Sequence, residues 1–483
     1  MSKGIYLSVC VLGIFIASAC QYQRPGQTPP SDTGDADTST IQTPTDTLVN
    51  SGDTAATQIN LYLENSGSMN GYVAGNTDFK NALSDLLVLL KYHYGEENIQ
   101  LHFINTAIYP FFPYSDITQV PYQLSPKSIA VGNTGSSDLN HIFNQILKQT
   151  DTHTISILLS DAIYSIQGSD TETLLNFQKS KTKDAFLSSS KRGFQPVTTI
   201  VKLSSIFWGN YWDKNNKKTM LRDKPRPYYL CITGSAERMQ DFNDNIPLES
   251  GKVQGFQHKY VMTSKDFSQN NYYSILTASF NHGRFKPIRT MSTGSYVRGI
   301  EDVEISRRSA DPFSFAIAVD LSAIPVEEAY KTNPENYEIL EGEYEIAAIS
   351  PIDKKDIHPS DWIRIQAAKA THIIQVQATS GVYSDLNLAI KKQIPQWVYQ
   401  TDTEDDTDIA SVMDKTFGFK YLIEGINEAY ETVAQQKDYY FEIHLPIRKS
   451  TESNTGKAFL IVLLVCVAGA VGFMILKNRN RNR

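Results

Sequence analysis

Hydrophobic and polar positions along the chain fall into two regimes. From Gln58 to about Leu248, short apolar runs alternate with helical periodicities. "QINLYLEN" predicts a strand, and "TDFKNALSDLLVLLKYHYG" sets Phe79, Leu83, Leu86, Leu87 and Leu90 on one helical face. "NIQLHFINTAIYPF" predicts a strand, "SSDLNHIFNQILKQT" a helix with Ser136 or Ser137 as N-cap, and "THTISILLSD" a continuous buried strand. A helix over Thr171–Ser190, strands at "PVTTIVKLSSIFWG" and "RPYYLCITGS", and a closing helix at "AERMQDFNDNI" follow. This alternation predicts an α/β, doubly wound, mainly parallel sheet covered on both faces, with ligands bound beyond the carboxyl ends of its strands. After Leu248 short alternating strands dominate, among them "FSFAIAVDLS", "HIIQVQATS" and "YYFEIHLPI", with one amphipathic helix at "FGFKYLIEGINEAYETVAQ". That stretch, 248–456, predicts a β-rich region of one or two sandwich-like domains.

The ends carry different patterns. Residues 1–20 join Lys3 to an apolar run and close on Ala17-Ser18-Ala19-Cys20, which reads as a signal peptide. The small residues before Cys20 resemble the bacterial lipobox, which implies lipidation of that cysteine. Residues 21–57, rich in Thr, Ser, Pro, Asp and Gln, lack the apolar surface to offset ordering and predict a disordered tether. Residues 457–476 contain the uncharged run Ala458–Leu476, which predicts a transmembrane helix, and the basic tail 477–483 predicts a cytoplasmic end. Together they place 21–456 outside the cytoplasm of a bacterial cell envelope, single-pass in the inner membrane. Of four cysteines only Cys231 lies in the exported body, so no internal disulfide is available and the thiol is expected buried and inert. A net charge of −7 argues against nucleic acid as a partner.

Candidate chemistry concentrates at the ends of the first strands. Glu64-x-Ser66-x-Ser68 follows one strand, "GNTGSSDLNHI" brings Ser137 to a helix start, and Ser160-Asp161 ends the apolar run "ISILL". Two carboxylates and several hydroxyls make an oxygen-only set suited to Mg²⁺, with Mn²⁺ or Ca²⁺ as substitutes. "LYLENSGSMNGY", "GSSDLNHIF" and "ILLSDA", in this order, resemble the von Willebrand factor A domain over 58–247. The resemblance implies a Rossmann-like fold with a metal-ion-dependent adhesion site. Ser66 and Ser68 match its direct hydroxyl ligands, Ser137 its middle-loop threonine and Asp161 its later aspartate, while Glu64 stands where the family has aspartate. It implies a non-enzymatic, membrane-anchored binding protein that captures a protein partner through an acidic side chain. A metal-dependent hydrolase and a structural subunit of an envelope assembly with a vestigial site are the alternatives. The acidic run Asp402–Asp408 lacks the spacing of a calcium loop and reads as solvated, the region of Asp356, His358 and Asp361 reads as a surface turn, and His93, His102 and His141 read as packed or surface residues.

Overall fold

The computed structural model describes residues 56–449 apart from 136, 167, 191–193, 195, 250, 266, 268–271, 306–309 and 435–437. The signal segment with Cys20, nearly all of the tether and Ala458–Leu476 lie outside the described residues.

Seven strands form the first sheet: β1 (Gln58–Glu64), β2 (Ile99–Ile104), β3 (Ile108–Pro110), β4 (Thr154–Ser160), β5 (Pro196–Trp212), β6 (Lys218–Ser235) and β7 (Phe256–Thr263). Their order is β3-β2-β1-β4-β6-β5-β7. The β2-β1-β4 core is parallel, with Leu63 opposite Phe103 on one side and Leu159 on the other. β4 is buried along its whole length, as a strand covered on both faces must be. Helices cover the two faces: α1 (Asn70–Val73), α2 (Asp78–Tyr94), α3 (Val120–Gln123), α4 (Leu139–Gln149), α5 (Thr171–Ser190) and α6 (Ala236–Asn245). On one face, α2 buries the predicted Phe79, Leu83, Leu86, Leu87 and Leu90 in the core that also holds Leu61 and Leu63.

The mainly parallel sheet is corrected to a mixed one. β3, β6, β5 and β7 all pair antiparallel with their neighbours. The cause is local. β5 and β6 are joined only by Asp213–Lys217, too short for a crossover, so they must run antiparallel. The polar stretch "NYWDKNNKKTMLRDKP" that separates the two predicted strands instead extends both of them.

Beyond β7 lie β8 (Tyr273–Ile275), β9 (Arg284–Pro287), β10 (Ile300–Glu304), β11 (Ser314–Val319), β12 (Tyr337–Glu341), β13 (Tyr344–Pro351), β14 (His372–Ala378) and β15 (Leu386–Lys391). β16 (Asp402–Thr403), β17 (Thr416–Phe417), β18 (Tyr439–Leu445) and β19 (Ile447–Lys449) complete the set. The sheets β13-β14-β11-β8 and β12-β15-β18 contribute Phe315, Ile317, Ile374, Leu388 and Ile443 to one core, as a sandwich does. Helices here are α7 (Glu328–Lys331), α8 (Pro359–Ala367), α9 (Gln396–Thr401) and α10 (Phe419–Val433). Asp361, on the expected surface turn, is fully buried at the start of α8 and accepts from Thr277 N, Ala278 N and Arg364. α10 packs against the first sheet: Tyr430 Oη and Thr198 Oγ1 are 2.7 Å apart, and the Phe419 ring stacks on Tyr229.

No helix among the described residues is long and apolar enough to cross a membrane. The expected transmembrane helix, Ala458–Leu476, lies outside the described residues, and neither it nor the single-pass inner-membrane placement has support from the described fold.

Candidate functional site

The parallel register sets the site. Leu63 faces Leu159, so Glu64 and Ser160 leave the sheet side by side. Glu64 is 1% exposed, and its Oε1 accepts hydrogen bonds from Ser66 Oγ at 2.8 Å and Ser137 Oγ at 2.6 Å. Ser160 Oγ donates to Oε2. Burial of a carboxylate is tolerated when its oxygens are satisfied in this way. Ser68 Oγ lies 3.0 Å from Ser66 Oγ, and the Ser68 hydroxyl also bonds the buried Asp161.

Asparagines hold the Ser137 loop against the strand ends. Asn65 Nδ2 donates to the carbonyls of Ile129 and Val131, Asn105 Nδ2 donates to Asn65 Oδ1, and Gly67 N donates to Thr134 O at 2.9 Å. The N-cap of α4 is Asp138, which accepts from Asn140 N and His141 N. Ser137 is therefore not needed as a cap, and its hydroxyl donates to Glu64.

After Asp161 the backbone enters the left-handed region at Ala162, φ 54°, a costly conformation for a residue with a Cβ. Ala162 N then donates to Ser160 Oγ at 2.8 Å, and Ile163 N to Asp161 Oδ1. Burial pushes the Asp161 pKa up to about 7, and the Glu64 charge adds to the rise. The Ser68 hydroxyl, Ile163 N–H and Arg226 oppose it. Arg226 is itself 1% exposed, lies over the Tyr211 ring, and donates to the carbonyls of Met413 and Lys415 rather than to a carboxylate.

Beside the cluster is a cavity of about 340 Å³, lined among others by Ser137, Tyr164, Trp212, Lys214, Asp406 and Phe417. The β5–β6 turn and the segment 402–417 build its outer wall. Asp406, in the run expected to be solvated, is 1% exposed and accepts from Tyr211 Oη at 2.5 Å and Lys214 N at 2.9 Å. Burial raises its pKa.

The structure thus brings Glu64, Ser66, Ser68, Ser137 and Asp161 together. Ser160, in the third predicted loop, gains a role as a Glu64 donor. Trp212, Arg226 and Asp406 carry no local signal, because tertiary packing alone brings them here. Of the three histidines, His102 stacks on Tyr62, His141 bonds Thr106 O, and His93 sits edge-on to Tyr92. Cys231 is buried, and burial pushes its thiol up to about 12.

Among the described residues, no group of three or more His, Cys, Asp or Glu side chains is placed to hold a metal ion. The expected metal-binding centre at Glu64, Ser66, Ser68, Ser137 and Asp161 therefore has no support as a group of that kind. The cluster has two carboxylates, Glu64 and Asp161, and its other side-chain oxygens are serine hydroxyls. Ser66 and Ser137 donate their protons to Glu64 and retain oxygen lone pairs, so the donor set that remains is hard and all-oxygen. Compared with known protein families and curated proteins, the chain matches no family model and no curated protein.

Proposed function

We propose that the chain is a binding protein that captures a protein partner through an acidic side chain at the Glu64–Asp161 cluster. One observation carries this reading. Two buried carboxylates share a hydroxyl-lined corner beside an open cavity, and Asp161 holds its proton up to about pH 7. Such a site is short of positive charge. Its own residues are prepared for a hard cation, Mg²⁺ by donor type: Ser66, Ser68, Ser137 and Asp161 would hold it, while Glu64 orients the hydroxyls. The cation would supply the charge that an acidic ligand needs. Without it, Asp138, Asp213 and Asp406 around the cavity repel such a ligand. The parallel β2-β1-β4 core, with the cluster at its strand ends, supports the resemblance to von Willebrand factor A domains.

Titration calorimetry of the full chain with Mg²⁺ and Mn²⁺ tests the reading. Binding is expected near pH 7 with release of about half a proton, because Asp161, half protonated there, must ionise. Asp161→Asn is expected to abolish it while leaving the fold intact by circular dichroism. No binding heat at millimolar cation, with the chain folded, would defeat the reading.

A further inference from the structure

β5 and β6 outrun their neighbours. β7 pairs with β5 only as far as Leu203, and β4 pairs with β6 only from Tyr229 onward. The remainder, Ser204–Trp212 with Lys218–Tyr228, is a two-stranded ribbon with no further strand on either edge among the described residues. Its inner face buries Phe207, Tyr211 and Leu221. Its outer face leaves Ile206, Trp208 and Met220 at 38%, 50% and 47% exposure. Lys218, Arg222 and Lys224 on β6 and Lys217 in the adjoining turn are all exposed, and none of them forms an ion pair with a described residue. Lys218 shares the outer face with Met220, Lys224 lies opposite Phe207, and the exposed Asp223 is the acid among them. Lys214, by contrast, pairs with Asp405 at 3.3 Å. This basic patch stands on a chain of net charge −7.

We propose that the outer face of this ribbon docks on an anionic lipid surface. Charge complementarity selects the occupant: four cations without an ion pair among the described residues, against one exposed acid (Asp223), stand along the ribbon and its turn beside three exposed apolar side chains, one of them a tryptophan. Tryptophan favours the headgroup level, and lysine and arginine lay their apolar stems along it while the charged heads meet anionic headgroups. A protein partner is the poorer fit. Lysine, which supplies three of the four cations, is depleted at protein–protein interfaces. The acidic remainder of the surface would be repelled from the same membrane, so the patch also fixes which side of the molecule faces it. The docking is independent of the Glu64 cluster.

Vesicles of equal parts phosphatidylglycerol and phosphatidylcholine, brominated in their acyl chains, test the proposal through the tryptophan fluorescence of the full chain. Quenching is expected with these vesicles and not with pure phosphatidylcholine, and Trp208→Ala should remove the vesicle-dependent part. Changing Lys217, Lys218, Arg222 and Lys224 together to Glu should weaken vesicle binding roughly a hundredfold or more. All five positions are exposed, so circular dichroism should be unchanged; if the Glu variant does not fold, Gln at the same four positions replaces it. Absence of quenching overturns the proposal, as does quenching that Trp208→Ala leaves untouched. Binding of poly-glutamate through the same four cations, without bromolipid quenching, overturns it in favour of an acidic protein.

Discussion

Asp161 carries the sharpest consequence at the scale of single residues. Its carboxyl sits at about 7 in the fold against an ordinary 3.8, so between those values the native protein holds a proton that the unfolded chain releases. Stability from this group is therefore highest at or below about pH 4 and falls as pH rises towards 7, then levels. Thermal melts across that window should show the wild type losing ground to Asp161→Asn, with the gap constant above about pH 7.5. Parallel pH profiles for the two proteins would contradict the assignment. The residues nearest this chemistry were legible in sequence for a geometric reason. Glu64, Ser66 and Ser68 alternate as the chain leaves a strand, and Asp161 ends an apolar run. Asp406 was not legible, since its partner Tyr211 lies far away along the chain and the surrounding sequence is that of an exposed acidic loop.

Among the elements, the ribbon reaches the site because two glycines allow it. A Cβ on Gly71 would run into the Phe207 ring, and one on Gly209 would lie 2.7 Å from the Gly71 Cα. α1 and β5 therefore touch backbone to backbone, which lets Trp212 reach the cavity and Tyr211 reach Asp406. Gly71→Ala is expected to cost about 1–3 kcal/mol, as overpacking of a tight contact does. Denaturant unfolding should show this loss, and Phe207→Leu added to it should recover part. Equal stability of Gly71→Ala and wild type would mean that the contact is slack. The core strands and α2 follow from periodicity, because apolar spacing fixes which face is buried. Strand direction does not follow from it: "PVTTIVKLSSIFWG" reads alike in a parallel or an antiparallel neighbour, and the hairpin alone decides.

At the level of the molecule, the first sheet depends on chain beyond residue 248. β7 supplies its edge strand, and α10 covers one face. Tyr260 Oη bonds Asn427, and Lys179 and Lys183 of α5 pair with Glu428 at 3.1 and 3.2 Å. A chain ended at residue 247 would leave Ile200, Tyr229 and Phe186 without the α10 side chains that cover them. Such a chain is expected to show no cooperative transition by calorimetry, whereas 56–449 should unfold cooperatively. A sharp transition from the shorter chain would show that α10 is dispensable. Sequence periodicity located α10 as an amphipathic helix, yet its apolar stripe does not say which sheet it covers.

The cavity wall has a consequence in time. Glu64 stands near the start of the folded chain and Phe417 near its end, and the cavity needs both sides. Synthesis delivers the first long before the second. Until the segment through Lys415 has emerged and folded back, Arg226 lacks the carbonyls of Met413 and Lys415, and Tyr211 lacks Asp406. An immature copy consequently displays strand ends and serines but no finished recess. On the proposed reading, competence arrives once residues 402–417 are in place, so copies that lack them cannot compete for a partner.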